Sequence, residues 1–297
     1  MRLDDILQAA IKEKQRTVVI PFANDPNIIK CIASAIEKKI ANFILIGNKS
    51  DIIKLADEQG VNVSSAEFIL EKEPYEACNH AARLVRDREA QFMIKGLVQS
   101  ATFLSAILNK ENNLILPGKL ISCAAVFELP TYHKLFILTD PGINISPNLE
   151  KKVEIIRNAI KISRLIGVVR PKIACIETIE KVTDRLPGTI DAKALVAMSR
   201  NNVFGDVEMD GPVGFDVAIS KKAASIKGIK SNVTGDPDIL MLPGILSANV
   251  LYKSFVWCAE GRVASIIVGA KVPIVLTSRS DSEEAKLLSV ALASLCI

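Results

Sequence analysis

The chain has 297 residues, 49% of them hydrophobic and 24% charged, a composition that excludes disordered, collagen-like and disulfide-stapled classes. At about 100–200 residues per domain, the length predicts two domains or one large one, each able to bury a core without a metal or disulfide. Lys and Arg number 37 against 33 Asp and Glu, a net charge of +4 with no long basic run; this gives no sign of nucleic-acid binding, yet a few focused cations could still hold a small anion.

In chain order, the first fifteen residues, MRLDDILQAAIKEKQ, alternate charge and apolar groups as an amphipathic helix does, where a signal peptide would need an apolar centre. Short β-branched runs at 17–20, 43–46, 135–138, 172–176 and 239–242 predict buried strands. Between them, three- and four-residue apolar spacing predicts helices at 28–39, 74–88, 149–166 and 191–200. Two further strands at 264–268 and 273–276 flank a short GAKV hinge, and a last helix follows at 282–295. Such alternation predicts an α/β fold with a mostly parallel sheet. No internal repeat, low-complexity linker or apolar run of about 18 residues interrupts it, so no membrane partner is expected.

Six cysteines (Cys31, Cys78, Cys123, Cys175, Cys258 and Cys296) are scattered without a CxxC pair. They predict a reduced, cytoplasmic protein in which all six act as buried small hydrophobes. The two histidines, His80 and His133, lack HExxH spacing, so neither a metal site nor a histidine-based triad is expected.

Anion binding is the chemistry most visible in the residues. In open α/β sheets, loops at the carboxyl ends of strands face ligand, and helix N-termini there offer free N–H groups and a positive dipole end. At 277–282 the segment TSRSDS follows an apolar strand. Hydroxyls, the Arg279 guanidinium and a helix start converge, with Ser280 and Glu283 at capping-box spacing. The same pattern also serves a plain surface cap with a solvated arginine.

Lys95 and Gly96 mark a second strand end, with Ser100 and Thr102 opening a helix; glycine would admit close ligand approach and the hydroxyls could donate to phosphate. Ordinary loop grammar reads the same way. A third segment, 238–253, reads as strand, Pro-Gly turn and helix, with Asn249 and Lys253 on one helix face; its plain alternative places Leu251 and Tyr252 in the core and Lys253 in water. Asp140 follows a strand in LTDPGIN at 138–144, and MDGPVGFD at 209–216 reads as another acidic turn.

Together these segments resemble the phosphate acetyltransferase and phosphate butyryltransferase family, and most closely its shorter butyryltransferase branch. The motifs are KGLV at 95–98, AVFE at 125–128, LTD at 138–140 with Asn144, DGP at 210–212, FDVAI at 215–219, DILMLP at 238–243, ANVLYK at 248–253 and VGAKVPIVLTSRSDS at 268–282. The resemblance covers about two-thirds of the chain, from residue 93 onward; the first ninety residues share only the strand-helix rhythm.

The resemblance implies two α/β domains flanking a cleft, as in isocitrate and isopropylmalate dehydrogenases. The first would comprise 1–118 plus 267–297, and the second, 119–266, would build a homodimer or higher homo-oligomer. It implies reversible transfer of an acyl group between coenzyme A and inorganic phosphate. Coenzyme A is then substrate or product, and no permanently bound cofactor is expected. By the family's pattern Arg279 is the electrostatic stabiliser and Ser278 a donor to the transferred group.

Lys95, Gly96, Ser100, Thr102, Asp140, Asn249 and Lys253 are the expected substrate-binding positions. Where the acetyltransferases carry a basic aspartate, an ungapped count reaches Ala285, leaving neighbouring Glu284 as the candidate base. Where they carry an arginine in the helix after the glycine segment, this chain has Phe103, Leu104 and Ser105. That exchange implies a greasier acyl pocket suited to butyryl or branched short chains. The alternatives are an acetyl-CoA-specific phosphate acetyltransferase, a coenzyme A-binding protein without turnover, and a dehydrogenase sharing the fold; the last lacks a GxGxxG after any predicted strand.

Overall fold

The computed structural model describes residues 1–297. In chain order its elements are α1 (Leu3–Lys12), β1 (Arg16–Pro21), α2 (Pro26–Glu37), β2 (Ala41–Ile46), α3 (Lys49–Glu58), β3 (Glu67–Ile69), α4 (Pro74–Arg86), β4 (Phe92–Ile94) and α5 (Ser100–Leu108). Then come β5 (Ser122–Glu128), β6 (Phe136–Thr139), α6 (Leu149–Leu165), β7 (Lys172–Ile176), α7 (Pro187–Arg200), β8 (Glu208–Val213), α8 (Phe215–Ile219), α9 (Lys221–Ile226) and β9 (Ile239–Met241). The chain closes with α10 (Ile245–Cys258), β10 (Arg262–Val268), β11 (Ile274–Val275) and α11 (Glu283–Leu295).

Two compact units emerge: a first unit of Leu3–Lys119 with Val263–Ile297, and a second of Met1–Arg2 with Leu120–Arg262. In the first unit the strand order is β3-β2-β1-β4-β11-β10, parallel except for β10 against β11. In the second it is β5-β6-β9-β7-β8, parallel except for β5 against β6.

The strands of the first unit read as continuous apolar runs because both faces are covered. Val18, Val19 and Ile20 of β1 and Phe92, Met93 and Ile94 of β4 are all buried. Helices α1 and α2 pack on α11, and α11 is buried from Ala285 through Ser294 without a break. A helix apolar on all sides belongs inside, which makes the one lysine in that run, Lys286, a conspicuous exception.

Helix boundaries are set by caps and prolines that apolar spacing does not register. Helix α2 starts at Pro26, two residues before its periodic face, because Asp25 caps it by accepting from the Ile28 N–H. Pro187 likewise opens α7 a turn earlier than 191, proline being tolerated where the N–H has no helical partner. The capping box expected at Ser280 and Glu283 does not form: Ser282 is the cap of α11 and accepts from Ala285 N at 3.1 Å.

The segment read as an acidic turn at 209–216 is mostly strand β8. It runs at the edge of its sheet, where a proline without an N–H is accommodated. Not all cysteines are buried either: Cys258 is exposed and Cys296 half-buried, and all six thiols are free. No helix is long and apolar enough to cross a membrane, and no three His, Cys, Asp or Glu side chains are grouped to hold a metal.

Candidate active site

Because β1, β2, β4 and β11 run parallel, their carboxyl ends share one edge of the first unit, and α2, α3, α5 and α11 all begin just beyond it. That edge concentrates helix N-termini, each contributing partial positive charge. The backbone there is closely fitted. Lys95 N donates to Val275 O at 2.9 Å, and Leu97 N donates to Phe22 O at 2.6 Å. Phe22 adopts φ 54°, a left-handed conformation that bulky residues rarely hold. Gly96 is dictated by this approach, since a Cβ on it would overlap the carbonyl oxygens of Pro21 and Phe22.

Three cations gather at this edge. The Lys95 side chain is only 4% exposed and donates to Gly96 O at 3.2 Å and Val98 O at 3.3 Å. Its pKa is pushed below the usual lysine value by burial and by the neighbouring charges of Arg279 and Lys286, with Asp25 and the Cys78 thiol opposing. Lys286 is 2% exposed and donates to Ser278 O at 3.1 Å and Asp281 O at 2.7 Å. Burial lowers its pKa as well, against the pull of Asp25 and Asp281.

Arg279 is exposed at the tip of the turn. The turn itself is tied by the Asp281 carboxylate, which accepts from Ser278 N at 2.7 Å, and by a 2.9 Å contact between the Ser278 and Ser280 hydroxyls. Asn27 Nδ2 donates to Asp281 O at 3.2 Å, joining the start of α2 to the same turn. Immediately before it, Thr277 is 3% exposed and its hydroxyl oxygen has no partner, a polar group awaiting one. The nearby thiols offer no nucleophile: burial pushes both Cys31 and Cys78 up to about 12.

The structure thus brings Lys95, Gly96, Ser278 and Arg279 together in the first unit. Ser100 is exposed at the start of α5, whose N-cap Gln99 makes no side-chain capping bond. Thr102 is half-buried on the same first turn, and its carbonyl accepts from Ser105 Oγ at 2.8 Å. Glu284 sits exposed on the first turn of α11. Phe103 has no exposure at all and belongs to the core, so among the three residues replacing the arginine only Leu104 and Ser105 reach the surface.

Asp140, Asn249 and Lys253 lie in the second unit. Asp140 is buried and ties its own loop, accepting from Cys123 N, Gly142 N, Ile143 N and Asn144 N at 3.1 Å and from Asn144 Nδ2 at 2.6 Å. Burial raises its pKa more than these bonds lower it. Asn249 Nδ2 donates to Pro141 O at 3.0 Å, joining α10 to that loop, while Lys253 is exposed.

Reading the sequence did not single out Lys286, Asp25, Asp281 or Thr277 as site residues. The signal for Lys286 was present, a charged residue inside the apolar run AKLLSVALASL; the others look like ordinary turn and cap residues until the loops are assembled.

Comparison with known proteins finds relatives along nearly the whole chain. The sequence profile of the phosphate acetyl/butaryl transferase family matches residues 2–77 and 51–294. The likeness therefore extends through the first ninety residues and is not confined there to the strand-helix rhythm. The chain is 36% identical to the phosphate butyryltransferase of Clostridium acetobutylicum, covering 98% of this chain and 97% of that protein. It is 34% identical to the phosphate acetyltransferase of Thermotoga maritima, covering 99% of each. A solved branched-chain phosphotransacylase from Enterococcus faecalis V583 superposes with a TM-score of 0.82 at 31% identity, covering 95% of this chain and 98% of that one.

Proposed function

The chain belongs to the phosphate acetyl/butaryl transferase family, and from that premise we propose that it moves a butyryl or branched short-chain acyl group reversibly between coenzyme A and inorganic phosphate. It is a phosphate acyltransferase. The observation that carries the site assignment is the exposed Arg279 at the edge where Lys95 and Lys286 are buried. A planar guanidinium beside helix N-termini matches phosphate and a developing oxyanion.

The chemistry needs few parts. An oxygen of inorganic phosphate attacks the thioester carbonyl carbon and forms a C–O bond, and negative charge develops on the carbonyl oxygen. Arg279 and Ser278 stabilise that charge as donors. Collapse of the tetrahedral centre breaks the C–S bond, giving acyl phosphate and the coenzyme A thiolate. Glu284 takes the proton that phosphate loses and returns it to the leaving sulfur. Lys95 and Lys286 bias the edge toward anions, and Ser100 and Thr102, on the first turn of α5, offer hydroxyls and open N–H groups to phosphate.

The longer acyl chain is supported by the named activities of the Clostridium and Enterococcus relatives and by Phe103, Leu104 and Ser105 offering no guanidinium in the helix where the acetyltransferases carry an arginine. Within the second unit, Asp140 and Asn249 shape a loop and Lys253 offers an exposed charge, and these three are proposed as substrate contacts of that unit. A homodimer through the second unit fits α10, where Leu246, Val250 and Trp257 share one face and are 78%, 57% and 68% exposed. Six free thiols suit a reducing cytoplasm.

The direct test is release of free coenzyme A from butyryl-CoA with inorganic phosphate, followed with a thiol reagent. Phosphate-dependent release that leaves an acyl phosphate supports the reading. Release without phosphate, or binding with no release, overturns it.

A further inference from the structure

The turn that presents Arg279 is short, polar and exposed, yet its geometry is anchored from beneath. Lys286 lies in the second turn of α11, within ten consecutive buried residues. A lysine in such a place is costly unless its ammonium is used. Here it donates to the carbonyl oxygens of Ser278 and Asp281, the residues on either side of Arg279 and Ser280. The Asp281 carboxylate closes the same loop through Ser278 N, so the turn is clamped by an acid within it and a cation below it. Asp25, at the head of α2, acts on both Lys286 and Lys95 as the opposing charge.

Building on the phosphate acyltransferase reading, we propose that Lys286 is a positioning residue for acyl transfer, its buried ammonium fixing the 278–281 turn so that Ser278 and Arg279 meet the transition state in register. Two observations set it apart from a core salt bridge. Its partners are main-chain carbonyls of the turn that carries the chemistry, and its bonds hold the peptide units that bound the Arg279–Asp281 stretch, 278–279 and 281–282. The charge also lies behind the turn, where it adds to the positive field of Lys95 and Arg279 without being exposed. Misplacement of a catalytic group by about 1 Å costs on the order of a hundredfold in rate, while ground-state binding through remote parts of acyl-CoA is left intact.

The test is Lys286→Met, which keeps the length of the side chain and removes the ammonium, with Lys286→Gln as a polar second variant should the first fail to fold. We expect kcat for butyryl-CoA to fall about 100-fold, with KM for butyryl-CoA within about threefold of wild type. Circular dichroism of the folded variant should be unchanged, and cleavage by trypsin after Arg279 should be faster. A general loss of structure would instead alter the circular dichroism and open the other Lys and Arg bonds to trypsin together with that after Arg279. If either folded variant retains kcat within threefold of wild type, or its Arg279 bond is no more open to trypsin, the proposal is wrong. Wild-type turnover is measured beside the variants. If the wild type shows none, the acyl-transfer reading has failed, and the trypsin comparison still decides whether Lys286 holds the turn.

Discussion

The main-chain N–H of Ser278 donates to the carboxylate of Asp281 at 2.7 Å, which makes Asp281 the internal tie of the Arg279 turn. A charge-assisted bond of this kind is about twice as strong as a neutral one. It fixes Ser278 relative to α11 while leaving the guanidinium between them open to ligand.

Arg279→Ala removes the exposed guanidinium without disturbing the core. The expected result is a loss of about 10²–10³-fold in kcat/KM for acyl transfer with a melting temperature close to wild type. Thiol-release kinetics and a thermal melt read the two quantities separately, and an unaffected rate would remove Arg279 from the mechanism.

Gly96→Ala acts through shape. The added methyl meets two backbone carbonyls, at Pro21 and Phe22, which cannot swing aside as a side chain end could. A destabilisation of about 1–3 kcal/mol or more is expected, with reduced turnover because the same carbonyls shape the site edge. Urea denaturation measures the first; a midpoint equal to wild type would show that the two strand ends are not held in close contact.

Helix α11 depends on the Ser282 cap rather than on Ser280. Ser282→Ala should cost about 1 kcal/mol and Ser280→Ala much less. Equal effects in paired denaturation curves would contradict the assigned cap.

The acid limb of stability should depend on Asp236 in the second unit. Burial pushes its carboxyl up, but hydrogen bonds from Lys172, Lys134 and His133 outweigh this and hold it well below the usual carboxylate range. A folded-state pKa below the unfolded value of about 3.9 means the carboxylate stabilises the fold above that pH. That contribution is lost as pH falls from about 4 toward the folded pKa. Asp236→Asn should therefore lower stability near neutrality and flatten its dependence on pH below about 4. Thermal melts of both proteins between pH 2 and 7 check this, and parallel curves would rule it out.

Acyl-chain preference is expected to favour butyryl-CoA and isobutyryl-CoA over acetyl-CoA by about tenfold in kcat/KM, the scale one or two methylenes can supply in an apolar pocket. A preference for acetyl-CoA would assign the chain to the acetyl branch of the family instead.

What the sequence determined by itself was the alternation of buried strands and helices, because apolar runs at 17–20, 43–46 and 172–176 and the helical spacing between them are local properties of the chain. It also marked the TSRSDS turn, where hydroxyls and a guanidinium follow an apolar strand. Caps and prolines moved the helix starts to Pro26 and Pro187, and the edge of a sheet turned a Gly-Pro segment into strand β8. The tertiary structure alone decided which distant residues share the site. Asp25, Lys95, Thr277 and Lys286 meet because parallel strands bring the carboxyl ends of β1, β4 and β11 to one edge, and hydrogen-bond partners and electrostatic neighbours follow from that pairing rather than from spacing along the chain.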